Sequence, residues 1–318
     1  MEPFAYAALG LVILLLAGDV LVRGAVNLSL RLGIPALIVS LTVVAFGTSA
    51  PELLISIQSV LEDVPGIALG NVVGSNIANV LLVLGVPALL SGLEPPVSDT
   101  RKSYLTMMAA SILFVALAAT GVFGFWQGIV LVTAMALILA DQFREAYAHT
   151  RAGEDDDDVE AIDEADPEMP AWKIALYLVL GLVGLPVGAD LLVDNATIIA
   201  SEYGVSDTVI GLTLVAIGTS LPELATTVMA ALRRHSEVAI GNVIGSNLFN
   251  LLAIIGVTAL VGDIPVDANF FKLDFWIMLL ASAILAPFVF RRWHMGRGIG
   301  ALLVLLYVTY LVCILTWG

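Results

Sequence analysis

Charged side chains are scarce. Asp, Glu, Lys and Arg together make up 13% of 318 residues, about half of the roughly 25% usual in a soluble domain. That shortfall excludes an ordinary water-soluble globule and points to a lipid solvent. Cysteine is almost missing: Cys313 stands alone, so no internal disulfide can form. The three histidines, His149, His235 and His294, have no metal-ligand spacing, which excludes a Cys/His zinc site and leaves them as solvated loop residues. No Lys or Arg precedes the first apolar run, only Glu2. A cleaved signal peptide with its positive n-region is therefore not expected, and the first run reads as a retained helix.

What the sequence does hold is apolar length. Hydrophobic residues reach 59%, and ten runs stand out: 4–22, 34–60, 67–91, 103–122, 125–147, 172–193, 204–232, 238–261, 273–290 and 298–316. Each is long enough to cross a ~30 Å hydrocarbon core, and the second and seventh are long enough to be tilted or broken. The expected fold is an all-α integral membrane protein of ten transmembrane helices. Of 13 Lys and Arg, twelve fall in loops after odd-numbered runs; the other side has only Lys272. The positive-inside rule then puts both termini outside the cell's inner (plasma) membrane.

The net charge of −15 is concentrated between Glu154 and Glu168, where ten acids gather. Such a run repels itself and has too few apolar residues to bury, so 149–171 reads as a disordered cytoplasmic linker. A calcium-sensing role is the alternative, since carboxylates are hard-cation ligands, but no EF-hand spacing with its turn glycine is present. No nucleic-acid partner, obligatory protein partner or cofactor is expected; the surroundings are the lipid bilayer.

The linker separates two similar halves, 1–148 and 172–318. GTSAPEL at 47–53 returns as GTSLPEL at 218–224, and GNVVGSNIAN at 70–79 as GNVIGSNLFN at 241–250. Both blocks share an offset of 171, which also aligns Asp19 with Asp190, Gly33 with Gly204 and Thr42 with Thr213; across 47–86 there are 18 identities in 40 positions. Five helices per half is an odd number, so the second half enters the membrane from the opposite side. Inverted five-helix repeats of this kind are a recurrent plan of secondary transporters, with the substrate near the midplane at the repeat interface.

The repeated motifs carry chemistry. Pro51 and Pro222 remove a helical N–H and loosen the turn before them, beside Gly47 and Gly218. Irregular backbone inside a bilayer is tolerated where it lines a cavity. Thr48 and Glu52 are four residues apart and share a face, as do Thr219 and Glu223. A mid-membrane glutamate costs at least ~2.5 kcal/mol, and no Lys or Arg lies in a helix centre to offset either one. A bound cation or a proton is the simplest neutralisation, so Glu52 and Glu223 are the principal candidate ligands. In the second block Gly70/Gly74 and Gly241/Gly245 allow close helix approach. Ser75 with Asn79, and Ser246 with Asn250, add neutral oxygens to the candidate set. Oxygen-only ligands suit hard cations. Asn71, Asn76, Asn242 and Asn247 are read either as ligands or as capping and interhelical hydrogen-bonding groups. Asp19 and Asp190 lie nearer helix ends and read as caps or contacts with a moving helix.

The paired G-T-S-x-P-E and G-N-x-x-G-S-N-x-x-N blocks resemble the alpha-repeats of the calcium/cation antiporter superfamily, and most of all its prokaryotic sodium/calcium exchanger branch. The resemblance covers essentially the whole transmembrane region. It implies ten helices, an ion site from the second, third, seventh and eighth, and long sloping first and sixth helices that slide during gating. It implies Ca2+ and Na+ as transported ions. Its implied ligands are Thr48, Ser49, Glu52, Ser75 and Asn79, then Ala216 through its carbonyl, Thr219, Ser220, Glu223, Ser246 and Asn250. Ala45 is the symmetric carbonyl candidate. Asn rather than Asp at 250 resembles potassium-independent exchangers. The expected function is thus sodium/calcium antiport by alternating access, not enzyme catalysis, with proton-coupled calcium or other divalent antiport as the alternative. A channel would need a continuous pore, and an intramembrane hydrolase a catalytic pair that no helix centre supplies.

Overall fold

The computed structural model describes residues 2–96, 100–152, 166, 169–204 and 216–317. The acidic run is outside these residues except for Asp166, as is Thr213. The helices are α1 (Glu2–Leu32), α2 (Ala36–Thr48), α3 (Ala50–Leu61), α4 (Gly66–Leu90), α5 (Arg101–Ala118) and α6 (Phe125–Ala152). The second half contains α7 (Ala171–Glu202), α8 (Ala216–Gly218), α9 (Leu221–Leu232), α10 (Ser236–Val261), α11 (Asp274–Phe290) and α12 (Arg297–Trp317). Among the described residues, seven helices are long and apolar enough to cross a membrane. The pair α2 and α3, bent by 43°, makes an eighth candidate, while α9 and α11 are shorter apolar helices.

Two expectations from apolar runs need correction. The runs 4–22 and 172–193 correspond to helices of 31 and 32 residues, α1 and α7. The hydropathy reading stops beside Arg23 and Asp194, whereas helical hydrogen bonds continue past them. At ~1.5 Å per residue each helix is some 45 Å long, so it must slope to fit a ~30 Å core. The expected linker is also shorter at its start, because α6 continues through Ala152.

The two long helices pack against each other antiparallel, with glycines where they touch. A Cβ at Gly10 would come within 2.6 Å of the Leu192 nitrogen, and one at Gly181 within 2.5 Å of the Leu21 Cβ. Small residues permit this approach, the usual means by which helices associate where lipid removes the hydrophobic drive. The centre of the molecule is formed by α4 and α10, the most buried spans. Around them pack Met107 and Phe114 of α5 and Phe275 and Met278 of α11. Gly245 of α10 lies against α2, where a Cβ would meet the Ala45 Cβ at 2.6 Å. Short strand contacts join the loops: Val122–Phe123 pairs antiparallel with Ile264–Pro265, and Leu93 bridges Met295. Leu93 and Ile264 are again 171 apart.

Candidate functional site

Each GTS-x-PE block breaks its helix at the same place and in the same way. Ser49 has φ −87° and ψ 3°, and Ser220 has φ −90° and ψ 4°. Helices α3 and α9 restart beyond them with Pro51 and Pro222 in the first turn, where the missing N–H would have no helical partner anyway. This puts Glu52 and Glu223 in first turns, where the helix dipole favours a carboxylate. In α4 and α10 the helix widens into π-type turns at Asn79–Val83 and Phe249–Ile254. Such turns are frequent at functional sites, and here they begin at or beside the two candidate asparagines.

The structure brings these residues into one buried region. Glu52 and Glu223 are each 1% exposed, and Thr48, Ser49, Ser75, Asn79, Ser220, Ser246 and Asn250 are all buried as well. Ser49 donates to Glu223 Oε1 at 3.4 Å, and Thr48 and Ser246 stand beside the same carboxylate. Yet Glu52 Oε2, Glu223 Oε2, Asn79 Oδ1, Asn250 Oδ1, Ser220 Oγ and Ser246 Oγ have no hydrogen-bond partner. Leaving one buried polar atom unpaired costs roughly 1–3 kcal/mol, and more if it is charged. Six such oxygens, two of them on carboxylates, are matched by a hard cation, which supplies charge and accepts oxygen ligands. Among the described residues, no three His, Cys, Asp or Glu side chains gather; here neutral oxygens complete the set.

The backbone candidates differ. The Ala45 carbonyl accepts the Ser49 N–H at 3.0 Å and the Thr48 hydroxyl at 3.3 Å, so both of its lone pairs are engaged. In the other half the Ser220 N–H goes to the Ile217 carbonyl at 3.0 Å instead of to Ala216. Thr219 is only partly buried.

Of the four undecided asparagines, three make interhelical hydrogen bonds. Asn242 Nδ2 donates to Thr227 Oγ1 at 3.2 Å and to the Glu223 carbonyl at 3.4 Å, and its Oδ1 accepts from Thr48 at 3.5 Å. Asn247 and Asn76 hold the two candidate ligand amides: Asn79 Nδ2 donates to Asn247 Oδ1 at 3.0 Å, and Asn250 Nδ2 to Asn76 Oδ1 at 3.1 Å. Asn71 Nδ2 has no partner. Asp19 on α1 is paired with Arg23 at 3.2 Å and with Arg233 just beyond α9, a contact between helices rather than a cap. Asp190 is exposed. Reading the motifs alone missed Met107, Met278, Ser56 and Thr227; the offset of 171 joins Met107 to Met278 and Ser56 to Thr227, and would have found them.

Known proteins resemble this chain over nearly its whole length. The model of the "Sodium/calcium exchanger protein" family matches residues 3–144 and 173–316. The inner membrane protein YrbG of Escherichia coli is 35% identical over 94% of this chain and 92% of its own. The sodium/calcium exchanger MaX1 of Methanosarcina acetivorans is 32% identical over 97% of each chain. The solved structure of the sodium/calcium exchanger from Methanococcus jannaschii superposes with a TM-score of 0.82 at 30% identity, over 98% of this chain and 97% of that one.

Proposed function

The chain belongs to the sodium/calcium exchanger protein family, and on that premise we propose that it is a secondary antiporter exchanging Na+ for Ca2+ by alternating access. The observation that carries the reading is the group of six buried, unpartnered oxygens on Glu52, Glu223, Asn79, Asn250, Ser220 and Ser246. Two glutamates supply a charge of −2, which one Ca2+ neutralises, and neutral oxygens fill the coordination sphere. Thr48, Ser49, Ser75 and Thr219 complete the ligand set, with Ala216 contributing a carbonyl. Ala45 is its weaker counterpart because its carbonyl is engaged. Sodium, with half the charge, competes for the same oxygens, and competition for one site exposed alternately to two sides is what couples the fluxes.

The two halves, 1–148 and 172–318, form ten spans related by inversion, with both termini outside and the acidic linker cytoplasmic. Support comes from the shared offset, the like breaks at Ser49 and Ser220, and the distribution of Lys and Arg. The direct test is equilibrium binding of radioactive calcium to the purified protein. Binding should be saturable, displaced by sodium, and lost in Glu52→Gln and in Glu223→Gln. Calcium binding that ignores sodium, or survives both substitutions, would overturn the assignment.

A further inference from the structure

Two chains of three buried side chains, related by the offset of 171, lead into the candidate site. In one, Asn247 Nδ2 donates to Met107 Sδ at 3.7 Å, and Asn247 Oδ1 accepts from Asn79 Nδ2 at 3.0 Å. In the other, Asn76 Nδ2 donates to Met278 Sδ at 4.0 Å, and Asn76 Oδ1 accepts from Asn250 Nδ2 at 3.1 Å. All six residues are at most 1% exposed. The first chain runs from α5 through α10 to α4, the second from α11 through α4 to α10.

The chemistry of the outer member sets the direction of each chain. A thioether has no proton and can only accept, weakly. The relay asparagine therefore turns its NH2 to sulfur and its carbonyl oxygen inward. That oxygen engages the NH2 of the next asparagine, whose own Oδ1 is left facing the site without a partner. A flipped Asn79 or Asn250 would aim two N–H donors at the ion and set two acceptors against each other. We infer that Asn247 and Asn76, anchored on Met107 and Met278, are positioning residues that lock the Asn79 and Asn250 amides oxygen-inward and so set the calcium affinity of the site. This rests on the two ligand asparagines proposed above. An amide carries its oxygen and its donors on separate atoms that exchange places on a flip, so a ligand amide needs such a lock and a carboxylate does not.

The test is a double-mutant cycle on calcium uptake in proteoliposomes, reading KM and maximal rate separately for Asn79→Ala, Asn247→Leu and the pair. Asn79→Ala should raise the calcium KM by about tenfold, and Asn247→Leu should do nearly as much. The double variant should be no worse than Asn79→Ala alone, because the relay acts only through that amide. If the two effects multiply, Asn247 is a packing residue and the inference falls. If Asn79→Ala leaves KM unchanged, the ligand assignment itself fails. Met107→Leu keeps the volume and removes the acceptor, so it repeats the cycle should Asn247→Leu fail to insert. It should raise KM a few-fold in the wild-type background and not at all on Asn79→Ala.

Discussion

The two halves of the site share a sequence pattern and hold it in different states. On the Glu223 side, α1 lies along α9: a Cβ on Gly18 would come within 3.0 Å of the Ala225 carbonyl. Ala225 is 6% exposed and Thr226 fully buried. Their counterparts on α3, Leu54 and Ile55, are 69% and 37% exposed; among the described residues, α7 does not cover α3 as α1 covers α9. Hydrogen bonding follows the same division. Asn242 reaches Thr227 on the covered side, whereas Asn71 Nδ2 and Ser56 Oγ, the equivalent pair, are both without partners. Ser49 reaches Glu223, but Ser220 Oγ is unpartnered.

Charge differs as well. Asp19 and Arg233 hold α1 to the end of α9, and the matching positions are Asp190 and Glu62, two acids that cannot pair. By contrast the asparagine relays on α4 and α10 are alike in both halves. The difference separates α4 and α10, whose relays are alike, from α1 and α7, of which only α1 covers its helix, α9. The same motif-bearing surface is thus covered in one half and uncovered in the other.

The strongest way to break the comparison is to neutralise each glutamate in turn. Glu52→Gln and Glu223→Gln nearly preserve shape, so both proteins should insert and both should lose calcium flux by more than about a hundredfold. Near wild-type flux from either would show that only one half carries the ion. Next in size is Asn250→Asp. A third carboxylate beside Glu52 and Glu223 is repelled by both and takes up a proton or an extra monovalent cation; its proton would replace the amide as donor to Asn76. Calcium transport should become about tenfold more sensitive to acid, or newly dependent on potassium, in flux assays across pH.

A smaller, asymmetric effect is expected from the ion pair. Asp19→Asn removes a half-buried partner of Arg233 worth on the order of 1 kcal/mol, which shifts the balance of the two states several-fold. Asp190→Asn, with no such pair to break, should leave transport rates close to wild type. Equal effects would remove the latch from the account, and rescue by the swap Asp19→Arg with Arg233→Asp would strengthen it. The smallest effect belongs to the acidic segment: deleting 153–168 should leave basal exchange unchanged, since the candidate ligands all lie on α2, α3, α4, α8, α9 and α10 or at the breaks between them.

Much of this was legible in the sequence because it depends on repeated local patterns. Glu52, Glu223, the breaks near Pro51 and Pro222, and the asparagines of the second block all follow from two short motifs read twice. The full lengths of α1 and α7 were not legible in the apolar runs, because hydropathy reports solvent and not backbone hydrogen bonding, although the family resemblance implied that both are long. Neither was the contact of Asp19 with Arg233, which joins residues 214 positions apart and exists on one side only. The engagement of the Ala45 carbonyl depends on the local backbone at Ser49, which a motif does not specify.

The central claim is the coupling of calcium to sodium, and calcium uptake into proteoliposomes tests it most directly. Vesicles loaded with sodium and diluted into sodium-free medium should accumulate calcium, require no potassium, and be indifferent to an imposed pH gradient. Uptake driven by a pH gradient with sodium absent on both sides would contradict the sodium coupling and leave a proton-coupled calcium antiporter in its place.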